Sequence, residues 1–154
     1  MSTPTITSNE RGGNAADHAR PPERSRALSD PAYQAFWLLR LGFIVAPIAF
    51  GLDKFAHVLV DWDVYLAPEF ADLFNADAHT LMYVVGAIEI VAGLVVALRP
   101  RFGGYLVAAW LGGIIVNLLM LADHYDVALR DFGLLLAALT LARLAQAFPA
   151  AARR

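Results

Sequence analysis

The hydrophobic positions of this chain fall into four long runs, separated by shorter polar segments. The runs cover about residues 33–55, 79–98, 102–122 and 131–148. Each is close to the roughly 20 residues that a helix needs to cross a hydrocarbon core of about 30 Å. Strands fit poorly, because the runs are long, rich in Leu and Ala, and lack strict alternation. The pattern therefore predicts an all-α fold, a membrane-embedded four-helix bundle over residues 31–148.

Polar segments flank the predicted bundle at both ends. Residues 1–30 are rich in Ser, Thr, Asn, Gly, Pro and charge, and such a stretch buries too little apolar surface to order itself. We predict a disordered cytoplasmic tail there, and a short basic tail over residues 149–154. Asp30 is suited to cap the first helix, and Pro31 fits its first position.

The long connection between the first two runs, residues 56–78, has a pattern of its own. Apolar residues recur there at steps of three or four, which predicts a short amphipathic helix at the outer membrane surface. An ordered lid on the bundle is favoured over a partner-binding surface. The apolar face consists of Leu59, Trp62, Leu66, Phe70 and Leu73.

Basic residues predict the orientation of the spans. Four arginines lie in the N-terminal tail, two in the 99–101 link and three at the C-terminal end, whereas the opposite side has only Lys54 and Arg130. Cytoplasmic segments carry the excess of Lys and Arg. We therefore expect a multi-pass protein of the plasma membrane with both termini in the cytoplasm.

The composition agrees with this assignment and excludes other classes. Hydrophobic residues make up 58% and charged residues 17% of the 154 residues, against about 45–50% and about 25% in soluble domains. The net charge of −2 gives no basic surface for nucleic acid. The absence of cysteine excludes thiol catalysis and cysteine-ligated iron–sulfur clusters.

A carboxylate stands near the middle of the second run. An ionised Glu89 at that depth is costly and needs a partner or a proton. Arg40 of the first run and Asn117 of the third lie on the polar, small-residue stripes of their helices, so we predict a buried polar centre of Glu89, Arg40 and Asn117. The centre is either a proton or ligand site or a structural ion pair.

A second polar group is predicted at the outer end of the bundle. Asp53 and Lys54 are expected to pair with loop groups there, and several histidines lie nearby. We assign no metal, because the spacings match no known metal-binding pattern. The candidate outer cluster is Asp53, Lys54, His57, His79 and His124.

Two of the runs resemble the DoxX-like family of small four-helix membrane proteins. The first contains LLRLGFIVAPIAFGLDKF and the second GAIEIVAGLVVALRP. The family motif has an Arg near the start of helix one, a Gly-x-x-Lys ending, and Glu-x-x-x-Gly in helix two. These positions are here Arg40, Gly51, Lys54, Glu89 and Gly93, and the resemblance covers about residues 33–147.

The resemblance implies a fold more than a reaction. The family takes its name from a subunit linked to thiosulfate:quinone oxidoreduction, so the first hypothesis is a quinone-linked or respiratory-chain-associated component. The sequence encodes no cofactor, and a quinone is the candidate. The second hypothesis is a non-catalytic membrane subunit or assembly factor, and a small-solute carrier is third. Expected partners are the lipid bilayer and either a larger membrane complex or a second copy of the chain, whereas nucleic acid is not expected.

Overall fold

The computed structural model describes residues 29–152, and helices account for most of this range. The predicted disordered tail therefore lies, up to residue 28, outside the described residues, as do the last two arginines. No strand occurs within residues 29–152, so the all-α prediction is confirmed for that part of the chain. The elements are α1 (Pro31–Ala56), a 3-10 helix (Asp63–Tyr65), α2 (Pro68–Phe74), α3 (Ala78–Leu98), α4 (Pro100–Leu121), α5 (Tyr125–Ala147) and α6 (Pro149–Ala152).

Side-chain caps fix where α1 and α3 begin. Asp30 accepts a hydrogen bond from the Ala32 backbone N–H at 2.9 Å, and Pro31 occupies the first helical position, which confirms the predicted start of α1. Asp77 caps α3 in the same way, accepting a bond of 2.8 Å from the Thr80 backbone N–H. This bond and a second from the Thr80 hydroxyl hold the pKa of the Asp77 carboxyl below its usual value.

Glycines bring the long helices into close contact. A Cβ atom at Gly51 of α1 would lie 2.6 Å from the Gly86 carbonyl oxygen of α3, so only glycine permits this crossing. A Cβ atom at Gly104 of α4 would likewise lie 2.8 Å from the Ala138 carbonyl oxygen of α5. Small residues at helix contacts are typical of helix packing in membranes.

The outward faces of the long helices are apolar. Leu38 and Leu41 of α1, Leu94 of α3 and Phe102 of α4 are all exposed, although a soluble monomer seldom exposes large contiguous apolar patches. Among the described residues, α1, α3 and α4 are long and apolar enough to span a membrane, with mean hydropathies of 1.9, 2.4 and 1.9. These three helices indicate a membrane protein.

The helix α5 differs from the other three long helices. It has 23 residues but carries four charged side chains, and it is not among the three apolar spans. It also begins at Tyr125, six residues before the predicted run. The extra turn contains the Arg130–Asp126 ion pair at 2.7 Å, between residues four apart on an exposed helix face.

The segment between α1 and α3 is not one continuous helix. Pro68 disfavours a helical conformation at the residue before it, and Ala67 is extended at φ −67° and ψ 135°. The predicted outer helix is therefore divided into the 3-10 helix and α2. Leu59 and Leu73 of its predicted apolar face are exposed, whereas Trp62 is partly buried.

Candidate functional site

A buried ion pair joins the C-terminal end of α1 to the middle of α3. The Gly51–Gly86 contact places Lys54 beside Glu89, and Lys54 Nζ lies 2.8 Å from Glu89 Oε2. The two side chains are only 4% and 10% exposed. A buried charge pair of this kind requires good geometry, because both ions have lost their contact with water.

The connection after α1 folds over this ion pair. Lys54 Nζ lies 3.7 Å from the centroid of the Trp62 ring, which is a cation–π contact. The Trp62 indole N–H donates to Asp53 Oδ2 at 2.7 Å. Asp53 Oδ1 also accepts from the backbone N–H groups of Val58 and Leu59. Asp53 therefore holds the loop in the position where Trp62 covers the Lys54 ammonium.

Residues of α4 and α5 complete the centre. Asp131 of α5 is partly buried and interacts with the charges of Glu89, Arg130 and Lys54 without a direct ion pair. The Arg130 side chain itself is exposed and pairs with Asp126, outside the centre. Trp110 of α4 also interacts with the Glu89 carboxylate, yet its indole nitrogen is buried and has no hydrogen-bond partner of acceptable geometry in the described part of the chain. From here on, the polar centre means the observed set, which replaces the predicted one. It consists of Lys54, Glu89, Trp110 and Asp131, each from a different long helix.

An apolar groove adjoins the polar centre on the outside of the bundle. It has a volume of about 410 Å³ and lies between α3 and α4. Its walls include Ile88, Val91 and Leu106, and Trp110 also lines it. Trp110 is therefore shared between the groove and the polar centre.

Arg40 is not the partner of Glu89, and that part of the predicted polar centre is wrong. Its guanidinium donates to the carbonyl oxygens of Ala97 at 2.7 Å and Ala151 at 2.8 Å, and lies 4.8 Å from the Trp37 ring centroid. Because α1 and α3 are antiparallel, Arg40 lies beside the last turn of α3. Its bond to Ala151 also holds α6, where the sequence predicted only a basic tail.

Asn117 is also separate from the polar centre. Its side-chain oxygen accepts from the Ala67 N–H at 2.9 Å, and its nitrogen donates to the Tyr65 carbonyl oxygen at 2.6 Å. The amide thus attaches to α4 the short stretch of chain that links the 3-10 helix with α2. Its role is to anchor residues 57–77, the connection between α1 and α3, which we call the outer segment; Glu89 is not its partner.

The predicted outer cluster is divided among three places. Lys54 belongs to the polar centre, contrary to the expectation that it pairs with loop groups, whereas Asp53 binds loop groups as expected. The rings of His57 and His79 are stacked, with centroids 4.9 Å apart. His124 lies against the Tyr65 ring instead, with centroids 4.7 Å apart.

Sequence reasoning did not assign Asp131, Trp62 or Trp110 to the site. Asp131 marks only the start of a hydrophobic run, and Trp62 has the spacing of an interfacial anchor. Trp110 shares the polar stripe of Asn117 at a seven-residue interval, which is the one sequence signal for it. The spacing does not show which stripe positions face Glu89.

The fold and this centre define a class of protein: a helical membrane protein with charged residues buried among its long helices. Comparison with protein-family models, curated proteins and solved structures gives no match. The resemblance to the DoxX-like family therefore remains a prediction from the motifs quoted above.

Proposed function

We propose that this chain is a four-span protein of the DoxX-like type in the plasma membrane, and that its polar centre exchanges a proton with a membrane quinone. Interconversion of a quinone and its quinol moves two electrons and two protons. A partner oxidoreductase exchanges the electrons, since the sequence encodes no redox group. Glu89 and Asp131 hold or release a proton beside the quinone-binding groove.

The observation that carries the proposal is the unequal charge of the polar centre. It contains the carboxyl groups of Glu89 and Asp131 but only one ammonium group, that of Lys54. Buried charge is costly unless it is balanced. The centre is neutral only when one of the two carboxyl groups carries a proton. That carboxyl group can then act as a proton donor.

The groove supports a quinone as the molecule that exchanges this proton. Its apolar walls suit an isoprenoid tail, and it opens on the exposed apolar side of α3 and α4, which would face lipid in the proposed topology. The indole N–H of Trp110 lies between the Glu89 carboxylate and the groove without a hydrogen bond of good geometry, so it is a donor available to a carbonyl oxygen in the groove. Sites for small ligands are largely apolar, with a few polar groups that set orientation.

The packing of α5 supports a fourth span. Ala138, Leu141 and Ala142 of α5 are buried, whereas Phe132 and Leu134 are exposed as on the other long helices. Four antiparallel spans place both chain ends on one side, in agreement with the excess of arginine in the two tails and in the 99–101 link.

A non-catalytic membrane subunit is the alternative. Gly42, Gly113 and Gly133 are exposed, and a Cβ atom on each would meet nothing within 4 Å. Small residues at exposed helix positions permit close approach of another helix. These positions favour contact with a larger membrane complex or with a second copy of the chain.

Quinone content of the purified protein tests the proposal. The full chain is purified in mild detergent, extracted, and the quinone per protein is measured by mass spectrometry against lipid from the same membranes. Wild-type protein should be enriched in quinone. In Trp110→Phe the enrichment should be at least tenfold lower than in the wild type, because the substitution removes the donor but keeps an aromatic ring beside the groove.

Trp37→Phe is the matched control, because Trp37 is an exposed tryptophan beside Arg40 and away from the groove. It should retain the wild-type enrichment. A wild-type protein with no more quinone than bulk lipid would overturn the proposal. Equal enrichment in Trp110→Phe and Trp37→Phe would show that Trp110 does not bind the quinone.

A further inference from the structure

Two histidines and an aspartate meet at the outer end of the bundle, outside the polar centre. We propose that His57, Asp63 and His79 bind a divalent transition-metal ion, with Zn²⁺ the best match to the residues. Sequence reasoning assigned no metal here, because the spacing of the outer histidines matches no known pattern, and it did not include Asp63. Folding of the loop after α1 brings them together.

The geometry is compact enough for one ion. One ligand atom from each of the three residues lies within 4.8 Å of the other two. His79 Nδ1 and Asp63 Oδ2 are 3.0 Å apart. The rings of His57 and His79 are adjacent, with centroids 4.9 Å apart.

Two polar atoms of this cluster have no bond within the described part of the chain. His57 Nε2 and Asp63 Oδ1 are buried and lack a hydrogen-bond partner there. Buried polar groups are nearly always bonded, so each exception requires an explanation. A metal ion accounts for both, because it bonds to imidazole nitrogen and to carboxylate oxygen.

Neighbouring groups already orient the ligands. His79 Nε2 lies 2.8 Å from the Tyr83 hydroxyl, which leaves Nδ1 on the side of Asp63. A ligating histidine usually bonds through its second nitrogen to such a group, which fixes the ring. His57 ends α1 in the left-handed conformation at φ 50° and ψ 44°, uncommon for a residue other than glycine.

The ligands come from three different elements. His57 follows α1, Asp63 begins the 3-10 helix and His79 lies in the first turn of α3. A bound ion would therefore fasten the outer loop to two helices and stabilise the folded chain. Three protein ligands leave one coordination position for water or a small anion, as in zinc sites with an open position.

Zinc binding to the full chain tests the proposal. The protein is purified in detergent without a polyhistidine tag, freed of metal with a chelator, and titrated with Zn²⁺. Wild-type protein should bind one Zn²⁺ and show a thermal midpoint that rises with zinc concentration. His57→Gln and His79→Gln should each weaken binding at least tenfold, whereas Mg²⁺, which prefers oxygen ligands, should leave the midpoint unchanged.

His124→Gln is the matched control, because His124 lies at the same end of the molecule but outside the cluster. It should bind zinc as the wild type does. Absence of zinc binding by the wild type, or equal binding by His79→Gln, would overturn the proposal.

A measurement on wild-type protein decides the question if a variant does not fold. Histidine modification by diethyl pyrocarbonate is mapped by mass spectrometry with and without Zn²⁺. Zinc should protect His57 and His79 and leave His124 unprotected. Equal modification of His57 and His79 in the two samples contradicts the site.

Discussion

The two buried cations of α1 are stabilised in different ways. Lys54 has a charged partner, Glu89, at 2.8 Å, whereas Arg40 bonds to two backbone carbonyl oxygens near the other end of α1. Arginine suits that second setting, because its planar guanidinium presents several donors at fixed angles. The ammonium of Lys54 is a compact charge that fits between one carboxylate and one aromatic ring.

A double-mutant cycle measures the Lys54–Glu89 pair. Lys54→Gln should cost about 3–5 kcal/mol in the free energy of unfolding, since it leaves buried carboxyl groups without a cation. Glu89→Gln should cost less, because the Asp131 carboxylate still balances the Lys54 charge. The double variant should recover much of this loss. The measurement is thermal or denaturant unfolding in detergent, where snorkelling of the remaining charge lowers the figure.

The same cycle with Arg40→Gln in place of Lys54→Gln is the control. Arg40 bonds to carbonyl oxygens and not to Glu89, so its loss and that of Glu89→Gln should add to within about 0.5 kcal/mol. Additive losses for Lys54 and Glu89 would show that the ion pair does not couple these residues.

At the scale of elements, the outer segment is held by side chains of the helices beneath it. Asp53 of α1 binds the loop that follows it, and Asn117 of α4 binds the backbone on both sides of Leu66. No residue of the 3-10 helix or of α2 is fully buried. Their position therefore depends on these hydrogen bonds more than on apolar packing.

Asn117→Ala tests this dependence. The Tyr65 carbonyl and the Ala67 N–H would lose their partner, which costs about 1–3 kcal/mol for each group that stays buried. We expect a lower thermal midpoint and faster proteolysis between α1 and α3. Gln146→Ala, at an exposed position of α5, is the control and should change stability by less than about 0.5 kcal/mol. Unchanged proteolysis in Asn117→Ala would contradict the anchoring role.

At the scale of the whole molecule, four long antiparallel helices form two close pairs, α1 with α3 and α4 with α5. The short Arg99 link joins the pairs at the end where Arg40 binds α6. The polar centre and the histidine cluster lie towards the opposite end, which the outer segment covers. The two ends therefore differ in chemistry as well as in charge.

Reporter fusions test the orientation of this molecule in the membrane. A fusion after Arg154 should report the cytoplasmic side, and a fusion inserted within residues 56–78 should report the opposite side. The physical reason is the retention of Lys and Arg on the cytoplasmic side. The same sidedness for both fusions would mean that the number of spans between them is not odd, which excludes the proposed topology.

Much of the fold follows from local properties of the sequence. The hydrophobic runs determine the long helices, because a backbone in a bilayer must satisfy its hydrogen bonds within the helix. Asp30 and Pro31 determine the start of α1, because capping involves neighbouring residues only. Glu89 is recognisable as a buried charge from its position within an apolar run.

The partner of Glu89 is decided only by the tertiary structure. Arg40 and Lys54 are 14 residues apart, about 21 Å along α1 at 1.5 Å per residue, and both lie on its polar stripe. The Gly51–Gly86 contact sets the offset between α1 and α3 and selects Lys54. Sequence periodicity defines the face of a helix but not its displacement along a neighbour. For the same reason, only the folded loop brings His57, Asp63 and His79 together.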